Sequence, residues 1–155
     1  MSGLVANASP AKQEPDVTSG AFWPAIVMPS LRAAVRLTGD VTNERLRAAV
    51  VGAVIAVNDE LATWSEAQQD KGHATMDAIP SPLIDGNSRL VQLYLRAVYC
   101  ATTVELHERF RSYDATAQGN QRADDLTPTI DEMRRDLRYA ISDVLGTRRV
   151  TVELI

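Results

Sequence analysis

Few residues in this sequence are of types that could carry out chemistry. It has two histidines, His73 and His107, and one cysteine, Cys100. His107-Glu108 resembles the start of a zinc-binding helix, but the HExxH pattern needs a second histidine at the position that Arg111 occupies. We therefore interpret this pair as part of a solvated helix face. Cys100 lies inside an apolar run, which indicates a small buried hydrophobic residue and not a nucleophile.

The sequence also contains no motif that indicates phosphate binding or acid–base catalysis. Neither of the glycine-rich phosphate loops, GxxxxGK(S/T) and GxGxxG, occurs in the chain. Carboxylate pairs such as Asp124-Asp125 and Asp131-Glu132 are present, but any acidic protein contains such pairs. Asp131 has Arg135 at i+4, the spacing of an ordinary helical ion pair. The sequence therefore predicts a protein that is not an enzyme and that needs no metal or cofactor.

Composition limits the class of protein further. The chain has 155 residues, is 45% hydrophobic and carries a formal net charge of −4. This length and apolar share predict one globular domain. A single cysteine excludes an intramolecular disulfide framework, and no apolar run is long enough to span a membrane. With no pattern typical of a signal peptide, we expect a soluble, intracellular protein.

Arginine strongly outnumbers lysine, fourteen to two. Arginine suits ion pairs at protein interfaces, because its planar guanidinium binds carboxylates through two hydrogen bonds. The codon usage of a GC-rich genome is the alternative explanation of this bias. The negative net charge argues against sequence-specific DNA binding as the main activity.

Hydrophobic periodicity predicts an all-α fold: an antiparallel bundle of three long helices, preceded by a short helix. Residues 1–20 are polar and lack periodicity, which predicts a disordered, flexible arm, with order beginning at Phe22-Trp23-Pro24. The predicted helices are Ser30 to Leu37, Asn43 to Lys71 with Thr42 as N-cap, Arg89 to Ser112, and a fourth that begins near Gln121 or Pro128 and ends at Gly146. The third is apolar around most of its circumference and should be the central one. The residues expected to be largely buried are Trp23, Leu46, Val50, Val57, Leu61, Trp64, Leu93, Val98, Ile130, Met133, Leu137 and Ile141.

The C-terminus differs from the rest of the chain. Val150, Val152 and Leu154 alternate with Thr151, Glu153 and Ile155, a pattern that is typical of a β-strand. Two interpretations stay open. The tail is either a strand that adds to another chain's sheet or an extended segment packed along the bundle.

Several short strings, taken together in their order and spacing, resemble the phage head completion (head stabilisation) protein family, GPL, of contractile-tailed phages and prophages. The resemblance runs from about Phe22 to Ile155. The strings are Phe22-Trp23-Pro24, Ile84-Asp85-Gly86 with Ser88, Tyr94-Leu95-Arg96-Ala97-Val98, Glu108-Arg109-Phe110-Arg111, Tyr113-Asp114-Ala115-Thr116-Ala117 with Gly119, Arg122-Ala123-Asp124, Thr129-Ile130-Asp131-Glu132, and Arg135-Asp136 with Arg138.

The resemblance implies a connector, or adaptor, protein at the head–tail junction. Such a protein would form a homo-oligomeric ring under the portal protein after DNA packaging, twelve-fold by analogy with portals, and would offer a surface to the next connector or tail-completion protein. It would surround packaged DNA without sequence specificity and would not contact a membrane. It would reside in the neck of the virion, and in the host cytoplasm during assembly.

On this interpretation the chain divides into the arm, residues 1–20, a helical adaptor domain, residues 21–146, and a docking tail, residues 147–155. The residues expected to grip the portal are Arg148, Arg149, Val150, Thr151, Val152, Glu153, Leu154 and Ile155. Those expected to form a charged face between subunits are Arg45, Arg47, Glu66, Asp131, Arg134, Arg135 and Arg138.

The alternative is a small helical DNA-binding regulator. In that case Thr38-Gly39-Asp40 would be the turn of a helix-turn-helix. The second helix is, however, long and apolar for a recognition helix, and the net charge is negative. An enzyme that uses scattered carboxylates ranks last.

Overall fold

The computed structural model describes residues 14–35, 41–110 and 129–148, and most of these residues are helical. In chain order the helices are α1 (Met28–Ala34), α2 (Asn43–Glu60), α3 (Ala62–Asp70), α4 (Arg89–Phe110) and α5 (Ile130–Leu145). A single 3₁₀ turn (Met76–Ala78) and a hairpin of two short strands, β1 (Leu83–Ile84) and β2 (Asn87–Ser88), lie between α3 and α4.

Helix ends follow the capping residues of the sequence. The Thr42 hydroxyl accepts a hydrogen bond from the backbone N–H of Arg45, which confirms Thr42 as the N-cap of α2. Thr129 and Glu132 form a capping box at the start of α5. Gly146 ends α5 with φ +69°, in the left-handed region that glycine adopts at low cost.

The single long helix predicted from Asn43 to Lys71 is wrong in one respect, because it is interrupted at Leu61. The Leu61 N–H is shared between the carbonyls of Val57 and Asp59, so the backbone tightens locally. The Ser65 N–H still bonds Leu61 O at 2.8 Å, and α3 continues directly from α2. The sequence has neither proline nor glycine at this point, so no local signal marked the interruption.

The expectation of an all-α chain also needs correction, because Leu83–Ser88 form a β-hairpin. Asp85 and Gly86 both have positive φ, +51° and +73°, which is typical of the tight turn that joins two antiparallel strands. Ser88, at the end of the hairpin, is buried, and its hydroxyl has no hydrogen-bond partner among the described residues.

Helix α1 is displaced toward the N-terminus from its predicted range. It begins at Met28 because Pro29, which lacks an N–H, is accommodated in the first turn, and it ends where Val35 becomes extended. Leu37, the predicted end of this helix, lies outside the described residues. So do Ser112, the predicted end of α4, and the start of α5 predicted near Gln121 or Pro128.

Packing begins earlier than the predicted entry at Phe22. Val17 is buried and forms a two-hydrogen-bond antiparallel bridge with Ile26, with N···O distances of 3.0 and 2.8 Å. Glu14 forms an ion pair with Arg32 at 2.9 Å. Residues 14–20 therefore do not belong to a flexible arm, since Val17 buries an apolar side chain and its backbone finds partners. Residues 1–13 lie outside the described part of the chain.

Helix α4 is the element around which the others pack, as its apolar sequence predicted. It contacts both α2 and α5 along their lengths. The Tyr94 ring is fully buried and stacks on Trp23, with ring centroids 5.0 Å apart. Among the expected core residues, those confirmed as buried are Leu46, Val50, Val57, Leu61, Val98, Met133 and Ile141, and those only partly buried are Trp23, Trp64, Leu93, Ile130 and Leu137.

Candidate assembly surfaces

The described residues hold no cluster typical of a metal site, and their one cysteine lies in an environment that disfavours the thiolate. Cys100 is partly buried on α4, and this burial raises the pKa of its thiol, which lowers the fraction of the reactive thiolate. Within residues 14–35, 41–110 and 129–148, no three His, Cys, Asp or Glu side chains come together in a group that could hold a metal ion. The distinctive features of the molecule are therefore its surfaces.

The outer side of α5 is rich in arginine. Arg134, Arg135 and Arg138 are all exposed there, and we call these three residues the arginine face. The Arg134 guanidinium contacts Glu108 of α4 at 2.6 Å and Asp131 at 3.9 Å. The helical partner predicted for Asp131, Arg135, instead lies 3.8 Å from Asp136.

The three arginines are thus held to different degrees. Arg134 bridges two helices of its own chain, whereas Arg135 has one long contact to its neighbour in sequence. Arg138 makes no ion pair with any residue that the structure describes. Exposed ion pairs of this kind contribute little to folding, so replacing the contact of Arg135 with a contact to a partner would cost the subunit little stability.

The arginines at the start of α2 have a different setting. The Arg47 guanidinium donates hydrogen bonds to the backbone carbonyls of Pro15 and Asp16, at 2.6 and 3.4 Å. Its role within the chain is to fasten the N-terminal segment to α2. Arg45 is exposed near it, and Glu66 is exposed on α3.

The residues expected to form one charged face come from α2, α3 and α5, and they differ in their settings. Arg134 of α5 already pairs with Glu108 of α4. Arg47 is moreover committed to carbonyls of its own chain. The arginine face remains as one candidate surface, and α2 provides another.

The solvent side of α2 carries an apolar stripe that sequence reasoning missed. Val51 is 41% exposed and Ile55 is 57% exposed, and the side chain of Ala48 is exposed beside them. We call Ala48, Val51 and Ile55 the α2 ridge. The signal was present, since Glu44, Ala48, Val51, Ile55 and Asp59 are spaced 4, 3, 4 and 4 residues apart, a second helical stripe.

A second exposed aliphatic pair lies in the hairpin. Leu83 is 71% exposed and Ile84 is 53% exposed. The Gln92 side chain donates to Ile84 O at 2.8 Å, which ties the hairpin to the first turns of α4.

Only the first two residues of the predicted docking tail, Thr147 and Arg148, can be placed. Arg148 is exposed just after the end of α5, where Thr147 N bonds Ser142 O. Residues 149–155 lie outside the described residues, so the tail from Arg149 to Ile155 stays a prediction from sequence.

Comparison with known proteins places these surfaces in context. The family model for phage head completion protein (GPL) matches residues 17–155. The head completion/stabilization protein of Escherichia phage P2 is 36% identical over 153 residues, which cover 99% of this chain and 90% of that protein. The probable head completion/stabilization protein of Haemophilus phage HP1 is 24% identical over 139 residues, 90% of this chain and 91% of that protein.

No solved structure matches the chain. Among the described residues, no helix has the length and apolar character needed to cross a lipid bilayer.

Proposed function

The chain belongs to the phage head completion protein (GPL) family, and on this basis we propose that it completes phage heads as a non-enzymatic connector that forms a homo-oligomeric ring under the portal. The observation that carries the proposal is the match to the phage P2 protein over nearly the full length of both chains. A head completion/stabilisation protein is a structural component of the virion. We place this one in the neck, where it would stabilise the filled head and offer the tail-attachment surface.

The chemistry of the described residues supports a structural role. Its exposed arginines and aliphatic side chains are suited to protein contacts. A ring requires heterologous contacts, in which one surface of a subunit binds a different surface of the next. The arginine face and the exposed side of α2 differ in composition and are candidates for the two surfaces.

The portal contact is assigned to the tail, from Arg148 to Ile155. Its alternating pattern suits an added strand, in which main-chain hydrogen bonds provide affinity. Arg148 and Arg149 precede the strand and would orient it against an acidic portal surface more than they would strengthen binding. The remaining partners are the next connector or tail-completion protein and the packaged DNA, which an acidic subunit would let pass without tight binding.

The experiment compares Val152→Pro with Val152→Thr in a portal-binding assay and in thermal melts. Proline removes a main-chain donor from the strand, whereas threonine keeps the N–H and the β-branched shape. We expect unchanged melting for both variants, with portal binding lost only in Val152→Pro. Normal portal binding by a folded Val152→Pro variant would refute strand addition. A lowered melting temperature would show instead that the tail packs on its own subunit.

A further inference from the structure

The α2 ridge has no partner within the described chain. Its aliphatic side chains lie on the side of α2 opposite to Leu46, Val50 and Val57, which point into the core. A solvated helix face is normally polar, so an apolar stripe between acidic ends is a surface that favours contact with another protein.

The charges at the two ends of the ridge restrict what can bind there. Glu44 and Asp59 are exposed and form no ion pair with any described residue. They are about 22 Å apart along the helix at 1.5 Å per residue. Pairing of one ridge with the same ridge of a second copy would bring carboxylates together in either direction, Glu44 against Asp59 when antiparallel and each against itself when parallel. Such like-charge contacts are unfavourable.

The arginine face has the complementary properties. Arg138 lies three residues after Arg135 on α5, and both side chains are exposed. Leu145, which is 37% exposed, lies two turns beyond Arg138 on the same helix. Arginine stems can cover aliphatic surface while the guanidinium groups reach a carboxylate at the edge of the contact. Leu145 adds an aliphatic side chain at the end of the same helix.

We propose that the α2 ridge of one subunit binds the arginine face of the next, and that this is the contact that closes the ring. The inference rests on the proposed function, since it identifies the two surfaces of the subunit–subunit contact. The ridge supplies the apolar centre, and Glu44 or Asp59 pairs with Arg135 or Arg138. The contact is heterologous, because each subunit gives the ridge to one neighbour and the arginine face to the other.

The test uses cysteine substitutions and a bis-maleimide cross-linker in the full chain, with Cys100→Ala as background. Ile55→Cys marks the ridge and Arg138→Cys marks the arginine face. Both positions are exposed, so the variants should fold, and thermal melts check this. The samples are the free protein at up to about 1 mM, a concentration that populates even weak contacts, and filled phage heads assembled with the variants.

The double variant Ile55→Cys/Arg138→Cys should give covalent dimers, trimers and higher species on a denaturing gel. A mixture of the two single variants should stop at the dimer, and each single variant alone should stay monomeric. Ala74→Cys/Arg138→Cys, with the first cysteine in the exposed loop after α3, is the matched control and should give no ladder.

Dimers from Ile55→Cys alone would overturn the proposal, since they require ridge–ridge contact. The absence of a ladder in both the free protein and the heads that contain the chain would also overturn it. Heads that lack the chain altogether would contradict the proposed function instead. In that case cross-linking of the free protein alone would test the contact between the α2 ridge and the arginine face.

Discussion

Tyr94 is the residue that joins most elements of the core. Its hydroxyl donates to Asn58 Oδ1 on α2 at 2.8 Å, and Asn58 in turn donates to Ser19 Oγ at 3.0 Å. The ring stacks on Trp23. Burial raises the pKa of Tyr94 to about 12, from 10.0. One side chain therefore connects α4, α2 and the N-terminal segment.

Tyr94→Phe should lower the free energy of unfolding at neutral pH by about 1 kcal/mol, because a buried hydrogen bond is lost. The pH dependence has a definite sign. Between pH 10 and 12 the phenol ionises in the unfolded chain before it does so in the folded one, so wild-type stability falls as pH rises through this window. Tyr94→Phe has no phenol to ionise at this position, so it does not lose this stability. The difference in free energy of unfolding between wild type and variant should therefore shrink toward pH 12.

Urea denaturation at neutral pH and at several alkaline pH values measures both effects. Tyr99→Phe is the control, since the Tyr99 hydroxyl bonds no described residue and its removal should cost less at neutral pH. If the difference in free energy of unfolding between wild type and Tyr94→Phe stayed constant from neutral pH to pH 12, the raised pKa of Tyr94 would be contradicted.

Leu46 and Leu145 offer a second comparison at this scale. Leu46 is fully buried on α2, whereas Leu145 is 37% exposed at the end of α5. Leu46→Ala should cost about 2–5 kcal/mol through lost burial and a residual cavity, and Leu145→Ala should cost about 1 kcal/mol or less. Chemical denaturation of both variants checks this, and equal losses would show that α2 is packed differently.

At the scale of elements, the N-terminal segment is the part that sequence reasoning misjudged. Residues 14–20 are polar in composition, and Val17 is a single valine without periodic neighbours. Its backbone pairs with that of Ile26, nine residues away, and Glu14 of the same segment forms an ion pair with Arg32. Contacts of this kind are tertiary, and local composition does not encode them.

Val17→Ala should therefore destabilise the protein by about 1–2 kcal/mol, because two buried carbon atoms are removed. Val27→Ala is a matched control, since Val27 is 42% exposed only one residue from the bridge partner Ile26. Thermal melts should show a drop of about 2–4 °C per kcal/mol for a chain of this size. Equal melting temperatures for the two variants would show that Val17 contributes nothing to stability, as expected if residues 14–20 belonged to a flexible arm.

The helices were predicted better, for physical reasons that differ between them. Thr42 and Gly146 act locally as a cap and a terminator, so their effects could be deduced from residue type. The interruption at Leu61 arises from shared backbone hydrogen bonds in a sequence with no breaker residue, and it could not be deduced. The α2 ridge is detectable from residue spacing alone. It was missed because α2 carries apolar residues on both sides, and only the stripe that faces the core was assigned.

At the scale of the whole molecule, the chain is a mostly helical member of the phage head completion protein family. Helix α4 contacts both α2 and α5 and leaves exposed side chains on each of them. Which arginines are committed within the subunit could not be deduced from sequence, because the contacts that hold them join distant parts of the chain. Arg47 and Arg134 are held in this way, whereas Arg138 makes no ion pair with any residue that the structure describes.

The most direct test of the connector role is electron microscopy of the purified chain mixed with the portal protein of its own phage. We predict an additional ring of density on the portal, coaxial with its channel, that is absent from portal alone. Image classes should show one copy of the chain for each portal subunit position. Portal rings without added density, in the presence of excess folded chain, would contradict the account.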